Sequence, residues 1–315
     1  MTAALVLAAG ITKSNSKFSP MSELGGKTLV RRIIYTYQDA GIDKIVFITG
    51  HKAKSVEQKN SKHGVLFLRN ENYAKSDMLG SVKIGLDYLQ DKCDRVFISS
   101  VDTPFFLTET VKTLLSSAMP DIDMVAPVYE GKTGHPLLVS KSTFDEIQRY
   151  TGDSGLRFLM TLPALKKSFI DVPDRGVFFN PNSDYAENDL NEFVAALPPK
   201  KLRSQVRVRL SDNESFFGIG VFEVLKSIDE FESLNIGCQN IGISATKARN
   251  IISSAVKVLG FPLIKGQSGG KGVGGRTYVT KQGYELMGLF EAYQNEVTEF
   301  NKTAFEKYFG DYKLD

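Results

Sequence analysis

The residues able to do chemistry fall at the ends of apolar runs. Leu5-Val6-Leu7-Ala8-Ala9-Gly10 closes a strand-like segment with two alanines and a glycine. Small side chains there let backbone N–H groups approach a phosphate or a base, and open α/β sheets bind ligands at the carboxyl ends of their strands. Further on, Pro20-Met21-Ser22-Glu23-Leu24-Gly25-Gly26-Lys27-Thr28-Leu29 sets Lys27 just before a helical pattern. An ammonium group and a helix N-terminus both suit polyanionic charge. A third run, Val96-Phe97-Ile98-Ser99-Ser100-Val101, ends in Asp102 and the stiff turn Thr103-Pro104. A lone carboxylate at a strand end suits Mg²⁺, which takes few protein carboxylates and completes its shell with phosphates and water. Each feature also has an ordinary structural reading. Ala-Ala-Gly ends many buried strands, Lys27 reads as solvated surface, and Asp102 reads as a turn or helix-cap residue.

The elements that must position these residues alternate in type. Apolar strand-like runs are expected over 4–8, 44–49, 65–69, 95–99 and 124–129, with amphipathic helices over 28–40, 78–90 and 108–117. Such alternation implies βαβ crossovers and a mostly parallel sheet with helices on both faces, spanning 1–197. Pro198, Pro199 and Lys200 then lead into a basic alternating stretch, so 198–210 reads as linker or edge strand. From 211 to 315 the order is helix (218–231), short helix (234–240), the turn Ile241-Gly242-Ile243, and a longer helix (244–259). That order spells helix-turn-helix. A glycine-rich segment, 266–275, between strand-like 262–265 and 276–280 fits a hairpin wing, and a last helix opens near Thr280 and Lys281.

Composition bounds the rest. The 315 residues are 42% hydrophobic and 24% charged, with a formal net charge of +3. These values suit a folded protein of two domains, and no stretch approaches the roughly 18–20 apolar residues of a membrane span. The first residues lack the pattern of a secretion signal, so the protein is expected in the cytoplasm, away from membranes. Cys93 and Cys238 fall in different domains without partners at metal-ligand spacing and are expected to be reduced.

Together the motifs of the first domain resemble the MobA-like nucleotidyltransferases, the family of molybdenum cofactor cytidylyltransferase and guanylyltransferase. The resemblance spans 1–190 and rests on Leu7-Ala8-Ala9-Gly10, Lys27, Asn72-Tyr73 with Met78-Leu79-Gly80-Ser81, Val101-Asp102-Thr103-Pro104, and Gly131-Lys132-Thr133-Gly134-His135-Pro136. It implies a Rossmann-like sheet in which Leu7, Ala8, Ala9 and Gly10 bind the nucleotide. By the same resemblance Lys27 meets its phosphates, Ser81 lies by the base or ribose, and Asp102 holds Mg²⁺. His135 would face the acceptor, or else be a histidine satisfied beside a rigid Gly-His-Pro turn. The implied reaction moves NMP from an NTP, CTP favoured over GTP, to a phosphorylated acceptor such as molybdopterin, expelling pyrophosphate. Two departures stand out. The family's arginine after the first motif is here Ser14, with Lys13 or Lys17 nearby, and its second metal carboxylate is replaced by Asn180 or Asn182. Two further readings follow, a nucleotide-sensing regulator with a silent transferase fold and a sugar or alditol-phosphate nucleotidyltransferase.

Between Ser233 and Tyr284 there is no acidic residue, whereas Lys247, Arg249, Lys257, Lys265, Lys271, Arg276 and Lys281 all fall there. A one-sign field suits phosphate backbones. If Ser244 caps the second helix of the motif, Thr246, Lys247 and Asn250 can reach base edges or phosphates, while Lys271 and Arg276 hold a wing to the backbone. The stretch resembles the winged-helix DNA-binding domain of ModE regulators through Gly220-Val221 with Ile228-Asp229, Gly242-Ile243-Ser244 with Ala248, the paired glycines at 269–270 and 274–275, and Thr280 with Gly283. DNA and a second copy of the chain are the partners this implies, with a protein contact as the alternative use of the domain.

Overall fold

β1 (Thr2–Ala8) carries no charge, and every residue from Ala3 on is buried. Its side chains divide by alternation: Ala3, Leu5 and Leu7 enter one apolar layer, and Ala4, Val6 and Ala8 enter the other. A strand buried on both faces is what a parallel sheet sandwiched by helices requires. The computed structural model describes residues 1–10, 17–183, 187–197, 202–204, 206–267, 276–310 and 312. Within them the chain divides into two compact units, Met1–Ala196 and Leu197–Asp315.

After β1 the first unit runs through a two-strand clip, β2 (Glu23–Leu24) and β3 (Lys27–Thr28), then α1 (Leu29–Asp39), β4 (Ile45–Thr49), α2 (Ala53–Asn60), β5 (Leu66–Arg69), α3 (Met78–Leu89) and β6 (Arg95–Ser100). It continues with α4 (Thr108–Ser116), β7 (Met124–Tyr129), β8 (Lys132–Thr133), β9 (Leu137–Ser140), α5 (Phe144–Arg149), α6 (Phe158–Thr161), β10 (Lys167–Asp171) and α7 (Glu187–Ala195). The sheet order is β10-β7-β9-β6-β1-β4-β5, with β8 paired to β7. β1 pairs in parallel with both β4 and β6, β4 with β5, and β7 with β10; β9 runs antiparallel to β6 and β7. One layer is filled by Val30, Ile33 and Tyr37 of α1 with Val111 and Leu114 of α4, the other by Leu79, Val82 and Leu86 of α3 with Phe144 and Ile147 of α5. The architecture is mixed α/β with a mainly parallel sheet and helices on both faces.

The second unit starts with an antiparallel pair, β11 (Arg209–Ser211) and β12 (Ser215–Gly218). β11 begins inside the stretch read as linker or edge strand, and Arg203 and Arg207 before it lie in no strand. Then come α8 (Ile219–Phe231), α9 (Leu234–Asn240), α10 (Ala245–Leu259), the hairpin strands β13 (Ile264–Gln267) and β14 (Arg276–Val279), and the long α11 (Lys281–Phe309). Ser233, Ser244 and Thr280 cap α9, α10 and α11, their hydroxyls accepting from the amides of Ile236, Lys247 and Gly283. Such caps satisfy helix-start donors that would otherwise lack partners. Phe217, Leu225, Ile228, Ala248, Ile252, Leu263 and Phe290 form the unit's own core. Among the described residues no helix is long and apolar enough to cross a membrane, and both cysteines are buried and unbridged.

Candidate active site

From β1 the chain steps to β4 and β5 on one side and returns to β6 on the other. This reversal makes the carboxyl end of β1 the switch point of the sheet, where open α/β folds leave a crevice. Leu7, Ala8 and Ala9 are buried there and Gly10 is exposed. The turn is anchored on both flanks: the Val101 amide donates to the Leu7 carbonyl at 3.0 Å, and the His51 amide to that of Ala9 at 3.2 Å. A Cβ on Gly10 would meet no atom within 4 Å, so space above the turn is open. Gly50 is the opposite case, since a Cβ there would lie 2.6 Å from Cβ of Tyr73 and 2.7 Å from the Ala9 oxygen. Gly50 thus lets the Tyr73 loop close on the first motif, a packing role the sequence reading passed over.

Asp102 follows β6 in a tight turn. Its amide donates to Ser100 Oγ at 3.1 Å, that hydroxyl lies 3.4 Å from Asp102 Oδ2, and the Asp102 side chain is exposed. An exposed carboxylate at the crevice suits a hard cation that takes one protein carboxylate and otherwise phosphate and water oxygens. Among the described residues there is no cluster of three His, Cys, Asp or Glu side chains able to cage a metal. Lys27 stands on β3 beside the start of α1, its Nζ 5.7 Å from the Tyr35 ring centroid. The helix N-terminus next to it is differently used from what the sequence suggested. The amides of Leu29, Val30 and Arg31 already donate to Ser22 O, Pro20 O and Thr28 Oγ1, so the first turn has no open donors for an anion at those positions.

Two other expected site residues have polar groups engaged by neighbours. Ser81 is buried, and its hydroxyl accepts from Asn70 Nδ2 at 3.0 Å. The same Asn70 nitrogen donates to Ser76 Oγ, and the Asn70 amide to the Thr49 carbonyl. The Ser81 side chain thus ties the 70–76 turn to α3. Asn182 receives the Phe18 amide at 2.9 Å on Oδ1 and donates Nδ2 to the Phe18 carbonyl at 2.8 Å. Both ends of its amide are committed to the loop ahead of Lys27, while Asn180, on the cavity wall, accepts the Asn182 amide on Oδ1 at 2.8 Å. Ser14 and Lys13 lie outside the described residues.

His135 sits where β9 enters the sheet. Its amide donates to the Val177 carbonyl at 2.6 Å, and the neighbouring Gly134 has no room for a Cβ, which would fall 2.5 Å from the same oxygen. The His135–Pro136 peptide is cis. Burial lowers the His135 pKa below its ordinary 6.5, against the opposing effect of a hydrogen bond to the Ile98 backbone. Nδ1 of the neutral ring is buried and has no partner. His135 lines a cavity of about 1160 Å³ together with Thr103, Phe178 and Asn180. Across this space stand Arg149 and Arg157, and Tyr150 stacked on Phe158 with centroids 3.9 Å apart and planes within 3°. Asp77 and Met78 at the start of α3 complete the rim. Sequence reasoning missed this wall; its one linear trace is the repeated basic-aromatic dipeptide, Arg149-Tyr150 and Arg157-Phe158.

In the second unit, α10 turns Ala248, Ile252 and Ala255 into the core and leaves Thr246, Lys247, Asn250 and Lys257 exposed. Ser244, as the cap, has its hydroxyl engaged by the Lys247 amide. Arg276 is paired: its guanidinium donates to Glu232 at 2.8 Å. Glu232 lies just before the acid-free stretch and folds back onto it, so the field is less uniformly positive than the sequence suggested. Lys271 and the glycines at 269–270 and 274–275 lie outside the described residues.

A family model described as the MobA-like NTP transferase domain matches residues 4–168, more than half of the chain. The bifunctional protein GlmU of Staphylococcus epidermidis is 25% identical over 144 residues, covering 45% of this chain and 29% of that protein. GlmU of Francisella philomiragia is 28% identical over 137 residues, covering 42% of this chain and again 29% of the relative. The chain thus spans less than a third of the length of the curated relatives it matches. Among solved structures, Rv0371c from Mycobacterium tuberculosis H37Rv aligns with a TM-score of 0.52 at 18% identity, covering 62% of this chain and 99% of that one. At that identity the likeness speaks for the fold of the first unit alone.

Proposed function

The chain belongs to the MobA-like NTP transferase family, and from that premise we propose that its first unit transfers NMP from an NTP to a phosphorylated acceptor, releasing pyrophosphate. The observation that carries this reading is the meeting of the open Gly10 turn and the exposed Asp102 at the switch point of the sheet, with the His135 cavity opening near the same strand ends. The NTP would lie over Leu7–Gly10, and the acceptor would enter the cavity walled by His135, Asn180 and the arginines. An acceptor phosphate oxygen attacks the α-phosphorus, a new P–O bond forms, and the bond to the bridging α,β-oxygen breaks as pyrophosphate leaves. No covalent enzyme intermediate is needed, so positioning and charge neutralisation supply the acceleration. Lys27 serves the polyphosphate, and Asp102, with Asn180 as a neutral oxygen, would hold Mg²⁺. When bound, Mg²⁺ supplies positive charge against the phosphates.

CTP is favoured over GTP as donor, and a phosphorylated pterin such as molybdopterin as acceptor, whose flat ring suits the Tyr150–Phe158 wall. The test incubates the full chain and Mg²⁺ with each NTP, adding molybdopterin or a sugar phosphate, and measures pyrophosphate. Release with CTP and the pterin is expected. Release with a sugar phosphate alone would transfer the proposal to that acceptor class. A second reading, a nucleotide sensor without turnover, is favoured by one observation, the commitment of Asn182 to Phe18. NTP binding without pyrophosphate under every combination would select it.

For the second unit the proposal is a winged helix-turn-helix that binds DNA, α10 being the recognition helix and β13–β14 the wing. Support comes from the exposed face Thr246, Lys247, Asn250 and Lys257 behind a fully apolar inner face. The protein carrying both units is read as cytoplasmic.

A further inference from the structure

Asp174 is a buried carboxylate with no part in the proposed chemistry so far. It follows β10 and is 4% exposed. Oδ2 accepts from the Leu107 amide at 2.8 Å and from Thr110 Oγ1 at 2.5 Å, and Oδ1 accepts from the Gly176 amide at 2.9 Å. Burial raises its pKa, and these three donors oppose that rise by favouring the ionised form. Leu107 and Thr110 belong to the start of α4, whose N-cap, Leu107, has no side-chain oxygen with which to cap. A carboxylate 67 residues away in the chain takes that place, where the helix dipole also favours negative charge.

The two segments that Asp174 joins both carry residues of the proposed site. Leu107 stands five residues beyond Asp102, and the chain between them is fixed by the buried Pro104, Phe105 and Phe106. Gly176 stands four residues before Asn180, which lines the cavity with Phe178. The segments also touch directly. A Cβ on Gly176 would fall 2.2 Å from the Phe105 carbonyl oxygen, so no larger residue allows the approach. The Phe105 and Phe179 rings meet edge to face with centroids 5.6 Å apart. Val177 brings in a third element, since its carbonyl accepts the His135 amide. Asp174 is thus the polar clasp of a junction where the Asp102 turn, the Asn180 wall and the His135 turn meet. We infer that Asp174 is a positioning residue for the transfer reaction, fixing through Leu107 and Gly176 the separation of the Asp102 carboxylate from the Asn180 side of the cavity. The inference rests on the reading of Asp102 and Asn180 as the residues that would hold Mg²⁺. It acts through backbone amides, and misplacements of about 1 Å carried in this way cost on the order of 10²-fold in rate.

The test uses the full chain, with Mn²⁺ as the probe metal, and reads the factor by which Mn²⁺ tightens CTP binding in a calorimetric titration. Pyrophosphate release with molybdopterin is measured alongside. Asp174→Asn replaces one accepting oxygen by an amide nitrogen that cannot accept, so one tie between the segments is lost. The Mn²⁺ factor is expected to fall about 10-fold and kcat about 10- to 100-fold, the scale of removing a support behind metal ligands, while metal-free CTP binding stays within about twofold. A merely structural role would lower the denaturation midpoint and leave the Mn²⁺ factor of the folded protein unchanged. Thr110→Val removes one donor and keeps the carboxylate; it should show a smaller loss in the same direction, and it decides the matter if Asp174→Asn does not fold. Thr110→Ser, which keeps the hydroxyl, should restore the wild-type factor. Asp102→Asn serves as the reference for a lost metal site. A wild-type Mn²⁺ factor in folded Asp174→Asn, or in Thr110→Val where that variant decides, beside a loss in Asp102→Asn, would overturn the inference and leave the nucleotide reading standing. A wild-type chain whose CTP binding ignores Mn²⁺ would overturn that reading and the inference with it.

Discussion

His135 owes its neutral ring to burial, and that fixes how it responds to acid. Its pKa in the folded chain lies below the ordinary 6.5. Between those two values the unfolded chain binds a proton that the folded chain does not, so stability is lost as pH falls below about 6.5. His63, lowered by burial and by Arg31, acts in the same direction. The denaturation midpoint of the wild type should therefore fall between pH 7 and 5, and His135→Gln should fall less steeply. Identical slopes would remove His135 from the account. The same residue shows what a linear reading can reach. Gly134-His135-Pro136 was legible as a rigid turn with a histidine, but Nδ1 is left unpaired by the folding of Val177 and Ile98 around it, and neither neighbour is near in sequence. Ser81 and Asn182 were chosen for their chemistry, and their hydrogen bonds to Asn70 and Phe18 come into view only with the fold.

At the scale of elements, the strand ends are held in place by a buried ion pair. Glu57 on α2 accepts two hydrogen bonds from Arg69 at the end of β5, at 2.9 and 2.6 Å, and one from Thr49 Oγ1 at the end of β4. The Glu57 side chain is 2% exposed and that of Arg69 22%. Glu57→Ala leaves the guanidinium without its partner and should cost roughly 3 kcal/mol, the low end for breaking a buried pair because Arg69 still reaches water. Denaturant unfolding checks this; a loss below about 1 kcal/mol would mean the pair is only a surface contact. α2 also shows why some elements were not read. Its sequence, Ala-Lys-Ser-Val-Glu-Gln-Lys-Asn, is polar, and two of its buried residues are Glu57 and Asn60, so no apolar stripe marks it. β1, β6 and β7 were legible as continuous apolar runs. β9 was not, because a short antiparallel strand between parallel ones has no local signature. α10 was legible from Ser244 onward, and its prediction belongs here. Lys247→Ala should weaken DNA binding across sequences and reduce the salt slope by about one. An unchanged slope would leave α10 as a protein contact.

Considered as a whole molecule, the chain joins a unit that the MobA-like family model covers to a second compact unit that the match does not reach. The first unit contains the crevice proposed for the nucleotide and the cavity proposed for the acceptor. The second has an exposed basic helix and a long last helix that is mostly exposed beyond Phe290. The prolines and the change of pattern near residue 200 led the sequence reading to expect a boundary there, whereas the long exposed run of α11 beyond Phe290 was not legible from it. The central claim is that Asp102 serves phosphoryl chemistry at the end of β6. It is tested most directly by pyrophosphate release from the full chain with Mg²⁺, CTP and molybdopterin, comparing wild type with Asp102→Asn. The account predicts turnover in the wild type and a loss of about 10²–10³-fold in the variant, the scale of removing one charge-stabilising group, with nucleotide still bound. Equal turnover in the two proteins would contradict it.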